Sequence, residues 1–375
     1  MPRILDVADE FAIYSTRLLA ECGHDVIRPE PRSGDALRRM GPFLGNIFDL
    51  EHGAYHQFFN AGKRSFSADL DSETGRELFL ELVRTADAIV LSDRSQIDPD
   101  EVAAANPKAV VALVENEEDS GLLSAASSGL LSLVGDPEGE PLVLGGQVAN
   151  SAIGLYTVIA TAAALNLAER TGKGQVIRIS AQGALEAMME QSALTYTTEG
   201  RVIRRRGFRG EITAASSAFA AADGYWMLSV LAAGKAWRDF VEWVQDPVLL
   251  ADESLADEAQ RRAKQQLIAD RLDAWSLRHP KEELIAEAQR RKIPSSPVTT
   301  ALDVASDEQL IARGYLVGEE YDGVGHVQAP RGAIATPRGA TLRPAPRLGQ
   351  HNGEILSELG YSMEEHEALL GARAL

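Results

Sequence analysis

Short runs of Ile, Val, Leu and Ala recur through the first half of the chain, each separated from the next by a stretch with helical spacing. Residues 4–7, 25–27, 88–91, 109–114 and 175–179 read as strands, and residues 10–21, 73–84 and 183–198 as helices, with Gly23 placed to stop the first helix. Strands that are apolar on both faces need cover on both faces. The pattern therefore predicts an α/β fold, a parallel sheet between helical layers. Residues 152–168 are apolar enough to suggest a membrane span, but the run is short, Ala-rich and interrupted by Asn166, so a helix buried between other elements is expected. The basic stretch 201–210 reads as a linker, and the residues after it carry strands and helices of their own, including a strand over 225–231, helices over 237–244, 257–276 and 281–290, and an extended piece at 293–298.

Charge narrows the function. Lys and Arg number 37 against 55 Asp and Glu, a net charge of −18. Binding to nucleic acid or to an anionic membrane needs an excess of cations, so neither partner is expected. A single cysteine, Cys22, excludes an internal disulfide and any multi-cysteine metal site; with no secretory pattern at residues 1–6, it points to the cytoplasm.

Familiar catalytic motifs are missing. The first βα turn reads Ala8-Asp9-Glu10-Phe11-Ala12, with no glycine and two acids where a dinucleotide fold brings its backbone against a pyrophosphate. No Walker A loop and no G-x-S-x-G elbow occurs. His52 and His56 share a helical face, but Glu51 precedes the first of them, unlike the zincin order; a packing role is favoured over metal. Asn60-Ala61-Gly62-Lys63-Arg64-Ser65 sets a glycine beside two cations, suiting either a phosphate contact or an ordinary basic loop. Arg201, Arg204, Arg205, Arg206 and Arg209 read as a solvated linker.

In order along nearly the whole chain, these segments resemble family III CoA-transferases, the CaiB/BaiF family, which includes alpha-methylacyl-CoA racemases. The resemblance is carried by residues 18–31, by Asn60 to Ser65 (the family's N-x-x-K-R-S), by Ser128-Gly129-Leu130-Leu131-Ser132-Leu133-Val134-Gly135, by Arg170-Thr171-Gly172-Lys173-Gly174-Gln175, and by Arg343 to His351. It implies a Rossmann-like parallel-sheet large domain formed by residues 1–200 and 320–375, a smaller α+β domain at 211–319, and an interlocked dimer. It also implies that coenzyme A or acyl-CoA is substrate or ligand, with no covalently bound cofactor and no metal, and that a small carboxylic acid is the second partner. Arg38, Asn60, Lys63 and Arg64 would then lie near the CoA phosphates.

The same resemblance implies a carboxylate nucleophile on the segment P-x-x-x-G-x-x-x-x-D. Here that segment runs Pro141-Leu142-Val143-Leu144-Gly145-Gly146-Gln147-Val148-Ala149-Asn150, and Asn150 stands at the Asp position. The His that the racemases carry before S-G-L is also missing from 119–123. Four readings stay open: a non-catalytic subunit paired with an Asp-bearing homologue, an active transferase in which Asn150 is replaced by or converted to Asp, a different reaction with Asn150 as hydrogen-bond donor and Glu115, Glu117 or Asp119 as base, and a ligand-binding or scaffold protein.

Overall fold

The computed structural model describes residues 1–95, 97–118, 120–207, 216–230, 234–330, 332–334, 343–371 and 375. The chain divides into two compact units: one of residues 1–131, 143–202 and 308–375, the other of residues 132–142 and 203–307.

The first unit is built on six parallel strands: β1 (Arg3–Val7), β2 (Asp25–Glu30), β3 (Arg64–Ser67), β4 (Ala88–Ser92), β5 (Val110–Glu115) and β6 (Gln175–Ser180). Their order is β3-β2-β1-β4-β5-β6. Among the helices that accompany them are α1 (Ile13–Glu21), α2 (Ala54–Asn60), α3 (Glu73–Thr85), α4 (Pro99–Ala105), α5 (Gly121–Ser127), α6 (Val148–Thr171), α7 (Ala181–Ala187) and α8 (Glu190–Glu199). Every residue of β4 is buried, as a central strand covered on both faces requires. Ile4 and Val90 face one apolar cluster, while Leu5 and Leu91 face the other. Side chains start several helices where the sequence supplies a cap: Ser72 accepts from Gly75 N–H, Asp98 from Asp100, Ser120 from Leu123 and Ser180 from Gly183.

Two expected helices are shorter than the periodicity suggests. The first begins at Ile13 rather than at 10, because the Asp9 side chain accepts Phe11 N–H and its carbonyl accepts Ala12 and Ile13 N–H, holding 9–12 as a turn. The segment 183–198 divides into α7 and α8 at Met188 and Met189. An antiparallel hairpin, Leu316–Tyr321 with Gly325–Pro330, also belongs to this unit.

Helix α6 packs on α1, β5 and β6. Its Gly154 makes the approach to α1 possible: a Cβ there would lie 2.8 Å from the Tyr14 Cβ. The buried stripe is Ala152, Ile153, Gly154, Thr157, Thr161 and Ala164. By length and composition α6 could cross a membrane, yet only 39% of its most apolar window is covered. The expectation of a helix buried between other elements therefore holds for one face only. Leu155, Tyr156, Ile159 and Leu167 form an exposed stripe, with Ile159 66% exposed.

The second unit centres on a three-stranded antiparallel sheet in which Gly224–Ser229 pairs with Ser216–Ala221 and with Ser295–Pro297. Phe219, Trp226, Leu228, Phe240 and Ile268 fill its core. The helix expected over 257–276 is two, Glu258–Ala263 and Gln265–Ser276, parted at Lys264. The end of the strand expected over 225–231 lies outside the described residues.

Candidate functional site

The strand order turns outward in both directions from β1 and β4. In open parallel sheets, the crevice at the carboxyl ends of such a strand pair is where ligands bind. Here the loop after β1 supplies Asp9 and Glu10, the turn after β4 supplies Asp93, Arg94 and Ser95, and β5 is followed by Asn116. Cross-links hold these loops together. Asp9 N–H donates to Ser92 Oγ at 2.7 Å, Asn116 N–H to Asp93 Oδ2 at 2.9 Å, and Ser124 Oγ–H to Asn116 Oδ1 at 2.7 Å. The Arg94 guanidinium lies 5.2 Å from the centre of the Phe11 ring and 3.4 Å from Glu10.

Three polar atoms in these loops are buried without a hydrogen-bond partner among the described residues: Asp9 Oδ2, Ser95 Oγ and Asn116 Nδ2. Buried polar groups are ordinarily paired, so this crevice has hydrogen bonds still to make. Burial pushes the Asp9 carboxyl up to about 6, against the hydrogen bonds from Ser92 and Phe11 N–H. Such a group can exchange a proton near neutrality. Acids in the first turn disfavour a pyrophosphate there, and in the structure Asp9 and Glu10 lie on the loop at the carboxyl end of β1.

Beside it lies a cavity of about 270 Å³ with largely apolar walls, among them Met40, Leu122, Leu131 and Leu144. Glu10 is the one ionisable side chain among the described residues that line it, and Asn150 is part of the same lining. Asn150 sits in the first turn of α6, half-buried. Its Nδ2 donates to Gln147 Oε1 at 2.7 Å, and Gln147 Nε2 donates to Tyr55 Oη at 2.7 Å. Its Oδ1 lies over the first residue of α5: a Cβ on Gly121 would come within 2.5 Å of it. The spacing of the sequence marks position 150 but gives no sign of Gln147, Tyr55 or Gly121, because these contacts join three separate elements.

The cations expected near phosphate groups are elsewhere and already engaged. Arg38 is fully buried; its five N–H donors go to both Glu30 oxygens, to Glu51, and to the carbonyls of Leu50 and Pro346. Lys63 Nζ has three donors, taken by Asp6 at 2.7 Å, Thr16 at 2.9 Å and Asn60 Oδ1 at 3.1 Å. Arg64 bonds Asp25 through two donors and Glu354 and Glu358 through the rest. Asn60, buried, is divided between Lys63 and His56. In this structure the Arg38, Lys63 and Arg64 donors are engaged by groups of their own unit, and Asn60 keeps a second Nδ2 hydrogen besides the one given to His56.

The remaining candidates are also placed. Glu115 pairs with Arg178 at 2.6 Å, Glu117 is exposed, and Asp119 lies outside the described residues, as does Arg209. Arg205 donates to the Asp136 and Gly139 carbonyls, and Arg201 pairs with Glu199. His52 and His56 do not converge. His52 faces Asp49 and the Asp322 carbonyl, whereas His56 donates from Nε2 to Pro346 O at 3.1 Å and accepts from Asn60 at Nδ1.

Burial, aided by the Arg38 charge, holds the His56 imidazole down to about 3. An unfolded chain takes up that proton near 6.5. Between those values only the unfolded state is protonated, so stability is complete above about 6.5 and is lost as pH falls. At pH 5 the loss from His56 is about 2 kcal/mol. His56→Gln retains a donor and an acceptor without the titration. Urea unfolding at pH 7.5 and pH 5 should show the parent losing about 2 kcal/mol more than the variant; equal losses would remove His56 as the cause.

A family model described as CoA-transferase family III matches residues 3–352. The subunit BbsE of succinyl-CoA:(R)-benzylsuccinate CoA-transferase of Thauera aromatica is 30% identical, over 98% of this chain and 96% of its own. A succinate–glutarate CoA-transferase of Agrobacterium fabrum is 29% identical over 95% and 94%. Among solved structures, a CAIB/BAIF family protein from Brucella suis superposes with a TM-score of 0.83 at 27% identity, covering 96% of this chain and 98% of that one.

Proposed function

This chain belongs to CoA-transferase family III, and from that premise we propose that it serves as a CoA-transferase subunit whose thioester-opening carboxylate is supplied by a second, aspartate-bearing homologue. The observation that carries this reading is the side chain at position 150. A carboxylate oxygen can attack a thioester carbonyl, expel the CoA thiolate and form a mixed anhydride; the thiolate then attacks the enzyme's own carboxyl carbon, releasing the donor acid and leaving an enzyme–CoA thioester, from which an acceptor carboxylate takes CoA by the same steps in reverse, freeing the enzyme carboxylate. The amide of Asn150 has no anionic oxygen and cannot take the first step. It has a second Nδ2 hydrogen besides the one given to Gln147, and that hydrogen is suited to a thioester or carboxylate oxygen in the cavity.

One further feature supports a subunit role. The apolar stripe of α6 at Leu155, Tyr156 and Ile159 is uncovered, which suits a protein partner. Of the two relatives described above, one bears the word subunit in its name and both name succinyl-CoA or succinate, which makes succinyl-CoA the first donor to test.

The test compares the purified chain alone with the chain co-expressed with an aspartate-bearing homologue. CoA transfer from succinyl-CoA to a dicarboxylic acid, together with co-elution, is expected only for the pair. Transfer by the unaltered chain on its own would refute the reading.

A further inference from the structure

The Asn150 side chain is held from both ends by groups that no chemistry of an idle position requires. Gln147 is the residue at which α6 begins, yet its side chain makes no capping bond to the helix backbone. Its amide is turned instead between Asn150 and Tyr55, at 2.7 Å from each. On the other side, the Asn150 oxygen occupies space that exists only because residue 121 is glycine.

We propose that Tyr55 and Gln147 form a reversible hydrogen-bond relay that positions residue 150, and that the same relay reverses to hold a carboxylate there. This rests on reading position 150 as the seat of the transferase carboxylate. As the chain stands, Asn150 donates to Gln147 Oε1, and Gln147 Nε2 donates to the Tyr55 oxygen. A primary amide presents an acceptor at one corner and donors at the other, and a phenol can either donate or accept. Turning the Gln147 amide over brings Nε2 toward residue 150 and leaves Oε1 to accept the Tyr55 hydroxyl proton. Both hydrogen bonds survive, and the one to a carboxylate becomes charge-assisted. Aspartate and asparagine side chains share one shape, so the exchange asks nothing new of the space above Gly121. The first turn of α6 carries no acid, and an anion there meets the positive end of a 24-residue helix. A leucine or methionine at 147 would have filled the same place without this capacity. Gln147 and Tyr55 are thus positioning residues for the group at 150.

The test uses Asn150→Asp protein labelled with carbon-13 at the aspartate carboxyl carbon. Subtracting the parent NMR spectrum leaves one added resonance, that of residue 150, whose titration midpoint is then read directly. Glu10 lines the same cavity and raises that midpoint, so each comparison is made with Glu10 unchanged. Adding Gln147→Leu should move the midpoint up by about one unit, because the carboxylate loses its donor. Tyr55→Phe, a milder change that removes only the hydroxyl, should move it the same way by less. Gln147→Glu should raise it furthest, since two acids then share the site. A midpoint that stays put in both Gln147→Leu and Tyr55→Phe would overturn the relay. No CoA takes part, so that outcome would leave the subunit reading standing, and a failed transfer assay would leave the relay standing.

Discussion

Asn150→Asp is expected to raise the CoA-transfer rate of the isolated chain from background by about a thousandfold or more, with the gain in kcat and little change in KM for the acyl-CoA. Removing a covalent nucleophile from an enzyme typically lowers kcat by several orders of magnitude, and restoring one works in the opposite direction. The change gives up the spare Nδ2 hydrogen of residue 150 and otherwise acts on the chemical step. It alters neither the apolar walls of the cavity nor the cations at 38, 63 and 64, which are bound to Glu30, Asp6 and Asp25. Steady-state transfer from succinyl-CoA gives the split between kcat and KM, and hydroxylamine trapping on the peptide containing residue 150 shows whether a covalent ester forms there. Asn150→Ala serves as the control and should remain at background. A folded Asn150→Asp protein with no transfer and no trapped ester would mean that the missing carboxylate is not what silences the chain. Spontaneous conversion of Asn150 does not offer a shortcut. Deamidation requires the Ser151 backbone nitrogen to attack the side chain, and that N–H is held by the Gln147 carbonyl at 2.7 Å within the helix.

The sheet was legible because its strands are short, apolar and separated by helical periodicity; residues 88–91 and 110–114 lie in central strands covered on both faces. The likeness of the chain to its family was legible because Asn60 to Ser65 and Arg170 to Gln175 keep their order. The roles of the cations were not. Arg64 meets Glu354 and Glu358 nearly three hundred positions away, and Arg38 and His56 both meet the carbonyl of Pro346. Spacing shows which charges are neighbours along the chain, and a basic hexapeptide looks the same whether its charges face solvent, a phosphate or buried acids. The turn at 9–12 failed as a helix start for a related reason: an aspartate side chain bonding its own backbone competes with the helix, and only the three-dimensional setting decides between them. The hairpin at 316–330 was missed as well. Glu319 occupies one of its half-buried positions, so apolar and polar residues do not alternate as they do along an ordinary half-buried strand.

Lys63→Met is expected to destabilise the first unit by about 3–5 kcal/mol at pH 7.5, the cost of leaving a buried charge without its partner. Lys63 has no exposed side-chain surface, and neither has Asp6, on β1 at the middle of the sheet. Burial pushes the Asp6 carboxyl up, but Lys63 and Arg28 together outweigh it and hold the group below its ordinary range. With Lys63 gone, Arg28 at 3.0 Å is the charge partner that remains, and Arg28 also pairs with Asp35. Asp6 then titrates higher in the folded state. A carboxyl whose folded value is raised takes up a proton as pH falls, so acid relieves the variant and the gap to the parent should narrow at pH 5. Asp6→Asn in the same protein should recover much of the loss at pH 7.5, because the attraction within a buried pair roughly offsets the cost of burying it. Urea unfolding of the parent, the single variant and the double variant at both pH values reads all three expectations. A Lys63→Met protein within 1 kcal/mol of the parent, on the scale of a solvated pair, would place Lys63 among exposed cations free to meet a phosphate. A loss of the expected size would instead tie Lys63 to the strand whose carboxyl end carries Asp9 and Glu10, where it holds the crevice in place without contacting what binds there.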